Sequence, residues 1–220
     1  MSRASSPRIT DSYFEYKADF HAPMFDAWGV PNLLASSLFP QLRRWGITLA
    51  DITWSKEPRN YKEIQLTITV LRMNASVHLG VDSATFTALD PDWSRASALV
   101  ELFETAMASV RNVTGAQIAS QEAALTFHVV PGQENLSVLT ARLVNVDVLG
   151  TARMYGIALY REDSSLVMDK SLRYDGAVFI RLNRAFSGSA SFSEIAAVLY
   201  KDEVKALEFF GLQSLISGEE

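Results

Sequence analysis

The sequence predicts an α+β protein with predominantly antiparallel sheet and packed helices, in which a lobe of strand, helix, strands and helix is duplicated. Segments of alternating apolar and polar residues recur along the chain, and a long amphipathic helix follows each of two groups of them. Short turn signals separate the segments. The chain has 220 residues, of which 48% are hydrophobic, so it can bury a large core.

The first half of the chain supplies one complete series of elements. Residues 13–20 alternate as a half-buried strand. Residues 25–45 carry apolar side chains at helical spacing, and Pro31 and Pro40 are expected to break this region into short helices. A long helix with a continuous apolar stripe ends before Gly115. Between these helical regions the sequence predicts strands at 47–54, 64–70, 77–81 and 84–89.

The second half repeats this order. Its predicted elements are a strand at 123–129, a short helix at 136–146, and strands at 152–160, 166–174 and 177–183. Asp175 and Gly176 form a hairpin turn signal between the last two strands. Ser191 and Glu194 have the spacing of a capping box, which predicts the start of the last helix.

Two local matches support the duplication. Residues 71–77 align without gaps on residues 172–178, and the aligned segments share Leu, Arg and Val. His21 and His128 each follow a phenylalanine at the point where the first strand of a half ends.

We therefore expect an N-terminal lobe at residues 11–115 and a C-terminal lobe at residues 116–216, packed as one unit. Residues 1–10 and 217–220 are expected to be flexible ends. Apolar helix faces and edge strands of such lobes favour self-association as a homodimer.

Composition and charge exclude several kinds of site. The absence of cysteine excludes disulfides, thiolate metal sites and thiol nucleophiles. The net charge of −5 argues against binding of nucleic acid. No apolar run has the length of a membrane span, and no apolar segment follows the polar first residues, so a cytoplasmic location is expected.

The three histidines are the main remaining candidates for a catalytic or ligand-binding role, and none belongs to a recognisable catalytic motif. If the lobes are related by a pseudo-twofold axis, His21 and His128 could approach each other and bind a metal or an anion. The alternative is that both are partly exposed residues at strand ends. No metal site, cofactor or catalytic residue is assigned from the sequence.

Arg72 and Arg173 form a second matched pair, each just before a predicted hairpin turn. Two guanidinium groups together bind a carboxylate or phosphate through paired hydrogen bonds. The structural alternative is that each arginine pairs with a nearby acid such as Asp82 or Asp169.

Trp28, Trp45 and Trp54 are further candidate ligand-binding residues. They lie in or near the irregular apolar region at residues 25–45, where a pocket or groove is expected to open. The alternative is that these indoles are core residues.

Since no catalytic motif is found, the sequence favours a non-catalytic binding or protein-interaction module, with an unknown protein or a second copy as partner. One alternative is a carrier of a small or lipid-like ligand, with its pocket between sheet and helices. Another is an enzyme that uses His21 or His128.

Overall fold

The computed structural model describes residues 8–28, 32–55, 57–91, 96–131 and 156–209. Within these ranges the protein has the predicted α+β class, with nine strands and four helices. The strands are β1 (Arg8–Phe20), β2 (Ile52–Trp54), β3 (Gln65–Val70), β4 (Ala75–Gly80), β5 (Ser83–Leu89), β6 (Ile118–Val130), β7 (Ile157–Tyr160), β8 (Ser164–Lys170) and β9 (Val178–Ser187). The helices are α1 (Phe25–Trp28), α2 (Asn32–Leu42), α3 (Ala96–Thr114) and α4 (Phe192–Phe209).

The nine strands form one large antiparallel sheet in the order β2-β3-β4-β5-β1-β6-β9-β8-β7. Strands β2 to β5 pair successively, as do β7 to β9, with Val77 opposite Ile68 and Leu182 opposite Leu166. The alternation of apolar and polar residues along each strand explains the register of these strand pairs, because a shift by one residue would move the buried side chains to the other face of the sheet.

The chain divides into two compact units, each described by itself. The first unit comprises Met1–Tyr13, Ala124–Arg184 and Ala197–Glu220, and the second unit comprises Phe14–Ala123 and Ala185–Ala196. Strands β1, β6 and β9 and helix α4 each contribute residues to both units. The lobes at 11–115 and 116–216, and their duplication, stay predictions.

In the second unit, an aromatic cluster forms the centre of the core. Tyr16 on β1 lies 4.6 Å from Phe103 on α3 and 5.2 Å from Phe192, measured between ring centroids. Phe14 and Phe86 pack edge to face at 6.1 Å in the same cluster. Edge-to-face pairs add stabilisation beyond the area that they bury.

In the first unit, the core joins strands β6, β8 and β9 to helix α4. The buried apolar side chains there include Leu125, Phe127, Val129, Met168, Ile180, Leu182, Leu199 and Leu207. A capping box starts α4, as predicted: the backbone N–H of Ser191 donates to Glu194 and that of Glu194 to the Ser191 hydroxyl.

Three predicted elements are wrong in detail. The strand predicted at 166–174 ends at Lys170, because the Ser171 hydroxyl accepts from the backbone N–H groups of the turn that follows. Residues 47–54 contain only the short strand β2, because Thr48 and Asp51 form a capping box on a 3₁₀ turn at Leu49–Asp51. Pro40 lies inside α2 rather than breaking it. The helix at 136–146 and the flexible ends lie outside the described residues, apart from residues 8–10, which belong to β1.

None of the described helices combines the length and the hydropathy that a membrane span requires.

Candidate functional site

A cleft in the second unit is a candidate site, with a volume of about 780 Å³. It lies beside the N-terminal half of β6, and its walls come from β1, α3 and the loop that precedes α4. Its polar and charged lining side chains include Tyr16, His21, Glu104, Arg111, Gln121 and Ser189.

Tyr16 and Gln121 form the fixed floor of this cleft. The Tyr16 hydroxyl donates to the Gln121 side-chain oxygen, and the Gln121 amide donates to the backbone oxygens of Ser187 (2.7 Å) and Ala190 (2.9 Å). Gln121 is 2% exposed, so these bonds satisfy a buried amide and hold the loop before α4 against β6. Burial raises the pKa of Tyr16, and the nearby Arg111 charge opposes this rise.

Helix α3 places two opposite charges in the cleft. Glu104, Met107, Ala108 and Arg111 follow the i, i+3, i+4, i+7 spacing, so they share one face of the helix. The two charged residues are separated by about 10 Å along the helix axis. Within the described part of the chain, no carboxylate lies within 4 Å of the Arg111 guanidinium. Arg111 is therefore available to a ligand.

Gly188 determines how closely the loop before α4 approaches β6. A methyl group added at Gly188 would overlap the backbone oxygen of Ile118 and lie 3.1 Å from that of Ala119. Glycine thus allows the backbone contact that closes one wall of the cleft.

His21 lies on the wall of this cleft, directly after β1. Its backbone N–H donates to the Gln117 oxygen at 2.9 Å, and its exposed imidazole has no hydrogen-bond partner among the described residues. His128 belongs to the first unit. The convergence of the two histidines stays a prediction.

The first unit brings His128 and Arg173 into one polar cluster around Asp11. Asp11 is buried on β1 and accepts hydrogen bonds from the Arg173 guanidinium and, at 3.0 Å, from the Tyr174 hydroxyl. Arg173 therefore has an acidic partner, as the structural alternative expected, but that partner is Asp11 and not Asp169.

Ser171 fixes the protonation of His128. The Ser171 hydroxyl accepts from the backbone N–H of Arg173 (3.1 Å) and of Tyr174 (2.9 Å), so its proton is directed to His128 Nδ1 at 2.9 Å. The imidazole consequently carries its proton on Nε2. Burial lowers the pKa of His128, an effect that Asp11 opposes and Arg173 reinforces. Ser171 is 2% exposed, and its two hydrogen bonds from the backbone N–H groups of Arg173 and Tyr174 make it the cap of this turn.

Arg72 occupies a different environment from Arg173. It lies in the 3₁₀ turn between β3 and β4, and its guanidinium covers Gly46. Gly46 has a φ of +80°, which favours glycine, and an added methyl group would lie 3.1 Å from Arg72 Cζ. Joint binding of an anion by Arg72 and Arg173 stays a prediction, since they belong to different units.

The three candidate tryptophans belong to two surface clusters in the second unit. Trp28 and Trp54 pack edge to face at 5.3 Å, and the indole nitrogen of Trp28 is buried without a hydrogen-bond partner among the described residues. Trp45 lies under the guanidinium of Arg44 at 3.9 Å. The cleft described above contains none of these tryptophans.

Among the described residues, no group of three or more histidine, aspartate or glutamate side chains has the arrangement of a metal site.

Sequence reasoning missed Gln121, Arg111 and Glu104. Gln121 precedes the predicted strand at 123–129, and in the structure β6 begins earlier, at Ile118. The spacing of Glu104 and Arg111 on the long helix was a usable signal for a shared polar face. Nothing in the sequence indicated which surface that face lines.

Comparison with protein-family models gives no match, and comparison with curated proteins gives none. One similar solved structure is the rolling circle replication initiator protein from Geobacillus stearothermophilus. It shares 9% sequence identity with this chain at a TM-score of 0.38, and the match covers 90% of this chain and 80% of that chain.

That neighbour is named as a replication initiator, whereas the sequence predicted a non-catalytic interaction module with partners other than nucleic acid. These two predictions conflict with the comparison and are withdrawn. The likeness is too weak to assign the neighbour's activity or partners to this chain.

Proposed function

We propose that the protein binds a small organic acid in the cleft of the second unit, with Arg111 holding its acidic group. The observation that carries this proposal is the guanidinium of Arg111, which has no carboxylate partner among the described residues and lies in a cleft of about 780 Å³. A guanidinium offers a planar pair of N–H donors that matches a carboxylate.

The other walls favour a ligand with an apolar body and a single negative charge. Phe103, Met107 and Phe192 supply apolar surface, and the hydroxyl of Ser189 lies in the loop opposite. Glu104 is about two helical turns from Arg111 and repels a second anionic group placed at its end of the cleft. A monoanion therefore fits this cleft better than a dianion.

A cytoplasmic location remains part of the proposal. The cysteine-free composition supports it, because a protein in a reducing compartment has no use for disulfides.

Isothermal titration calorimetry with benzoate, benzamide and terephthalate tests the proposal. Benzoate and its neutral analogue benzamide have nearly the same shape, so the guanidinium contact predicts tighter binding of benzoate. Terephthalate adds a second carboxylate on the far side of the ring and should bind more weakly than benzoate. Equal affinities for benzoate and benzamide would contradict the role of Arg111.

Three single-residue variants test whether the ligand binds in this cleft. Arg111→Gln should weaken benzoate binding about tenfold, as expected for the loss of one charge-assisted hydrogen-bonded contact. Glu104→Gln should improve the binding of terephthalate relative to benzoate. Arg43→Gln removes an exposed arginine that does not line the cleft and should leave all three affinities unchanged.

A further inference from the structure

The first unit contains a separate cleft of about 380 Å³ between strands β7, β8 and β9 and helix α4. Its volume is in the range of small-ligand sites. The floor of this cleft is apolar and consists of Leu159, Leu166, Leu182, Leu199 and Ala206. It offers an apolar body a place to pack between sheet and helix.

Three basic side chains and one carboxylate surround this floor. Arg161 follows β7, and its backbone N–H donates to the Ser164 oxygen at 2.7 Å across the tight β7–β8 turn. Ser164 is in turn the register partner of Arg184 on β9, so the two arginines flank the same end of the strands. Lys205 and Asp202 come from α4, one helical turn apart.

Arg184 is the basic residue held most firmly. Its side chain is 25% exposed, and its Nε atom lies 3.2 Å from an Asp202 carboxylate oxygen. The direction of the Nε–H does not satisfy a hydrogen bond to that oxygen, and Nε is buried without a hydrogen-bond partner in the described part of the chain. Arg184 is thus positioned by an ion pair while its buried Nε–H has no hydrogen-bond partner among the described residues, an arrangement that is costly without a ligand.

The charges around the floor do not balance. Arg161, Arg184 and Lys205 contribute three positive charges against the one negative charge of Asp202, which leaves an excess of two in a protein with a net charge of −5. A dianionic group would neutralise this excess.

We propose that this cleft binds a phosphate monoester carried on a compact apolar body. The phosphate contacts Arg184, Lys205 and Arg161, and the apolar body lies on the leucine floor. A phosphate monoester carries close to two negative charges above its second pKa of about 6, and its oxygens accept the N–H groups of arginine in pairs. This site is independent of the Arg111 cleft.

Calorimetry with phenyl phosphate and phenyl sulfate tests the proposal, because the two probes have similar shapes but different charges. The titrations use the Arg111→Gln protein, so that binding of the monoanionic probe in the other cleft is weakened. At pH 8 phenyl phosphate should bind at least tenfold more tightly than phenyl sulfate. At pH 5 it loses its second charge, and this preference should largely disappear. Equal affinities at pH 8, or no detectable binding of phenyl phosphate, would overturn the proposal.

Two variants of helix α4 provide the matched comparison. Lys205→Gln removes a cation of the cleft and should weaken phenyl phosphate binding several-fold, with a smaller effect on phenyl sulfate. Lys201→Gln removes an exposed lysine one turn earlier that does not line the cleft, and it should change neither affinity. Arg184→Gln should cause the largest loss, and its thermal unfolding midpoint checks that the unit remains folded. Equal effects of Lys201→Gln and Lys205→Gln on phenyl phosphate binding would show that the phosphate does not bind in this cleft.

Discussion

The ion pair between Asp11 and Arg173 is the clearest residue-scale determinant of stability in the first unit. The Asp11 side chain is 6% exposed and that of Arg173 is 60% exposed. Arg173→Met leaves a buried carboxylate with the Tyr174 hydroxyl but without its cation. We expect a loss of about 2 kcal/mol, below the range for fully buried pairs because water reaches the arginine.

Thermal unfolding midpoints measure this loss, with Arg72→Met as the control. Arg72 is also an arginine in a turn, but no described carboxylate pairs with it. Its replacement should cost less than about 0.5 kcal/mol. Equal shifts for the two variants would show that the contact with Asp11 adds no stability.

Glu203 makes stability depend on pH. It lies four residues after Leu199 and three before Ala206, so it faces the buried side of α4. Burial raises the pKa of Glu203 from 4.5 to about 7. The folded protein therefore holds this proton more tightly than the unfolded chain. The fold loses stability as the pH rises from about 4.5, where the unfolded chain releases the proton, to about 7, and the loss is constant at higher pH.

Glu203→Gln should accordingly stabilise the protein by about 2 kcal/mol at pH 8 and by much less at pH 4.5. Thermal unfolding at the two pH values measures the difference. Glu162→Gln, at an exposed position in the β7–β8 turn, is the control. A stabilisation by Glu203→Gln that is the same at both pH values would contradict the assigned cause.

At the scale of elements, the contact between the loop before α4 and β6 depends on Gly188. In Gly188→Ala the new methyl group meets the backbone of Ile118, which cannot move without disturbing β6. We expect a loss of about 2 kcal/mol, typical of overpacking, together with weaker benzoate binding because the cleft wall shifts.

Gly80→Ala is the matched control for Gly188→Ala. A methyl group at Gly80 would make only ordinary contacts of 3.4 Å or more, so this variant should be neutral or slightly stabilising in urea denaturation. If Gly188→Ala were as well tolerated as Gly80→Ala, the described approach of the loop to β6 would be incorrect.

Local chemistry made some elements predictable and others not. Alternation in β3 and the capping box at Ser191 and Glu194 are local signals, and the structure confirms both elements. Residues 47–54 were misassigned because apolar residues there resembled a strand, whereas the Thr48–Asp51 hydrogen bonds favour a 3₁₀ turn. Helix α2 continues through Pro40 because Pro40 is exposed, near the helix end, where water can reach the carbonyl group that it leaves unpaired.

At the scale of the whole molecule, the α+β class was predictable, but the order of the strands was not. The alternating segments predicted antiparallel strands, and nine are present in the described residues. In the observed order β5, which precedes α3, is next to β1, and β9, which precedes α4, is next to β6. This similar order supports the duplication as a proposal.

The same order changes the proposed correspondence of the arginines. Counted back from the long helices, the β8–β9 turn that contains Arg173 corresponds to the β4–β5 turn. Arg72 lies one turn earlier, between β3 and β4. Which turns correspond depends on which strands pair, and a seven-residue sequence match carries no information about strand pairing.

The cleft of the second unit was beyond sequence reasoning because its residues are far apart in the chain. Tyr16, Arg111, Gln121 and Gly188 come from β1, α3, β6 and the loop before α4. Only the pairing and packing of these elements assembles the floor and the charged wall.

In the proposed function, Arg111 binds the acidic group of a small ligand in this cleft. A titration of ¹⁵N-labelled protein with benzoate, followed by two-dimensional NMR, tests it most directly. We expect the backbone amide signals of residue 111, Gln117 and Ser189 to shift on titration, and these shifts to require about tenfold more benzoate in Arg111→Gln but the same amount in Arg43→Gln. Shifts confined to other parts of the chain, or unchanged shifts in Arg111→Gln, would contradict the claim.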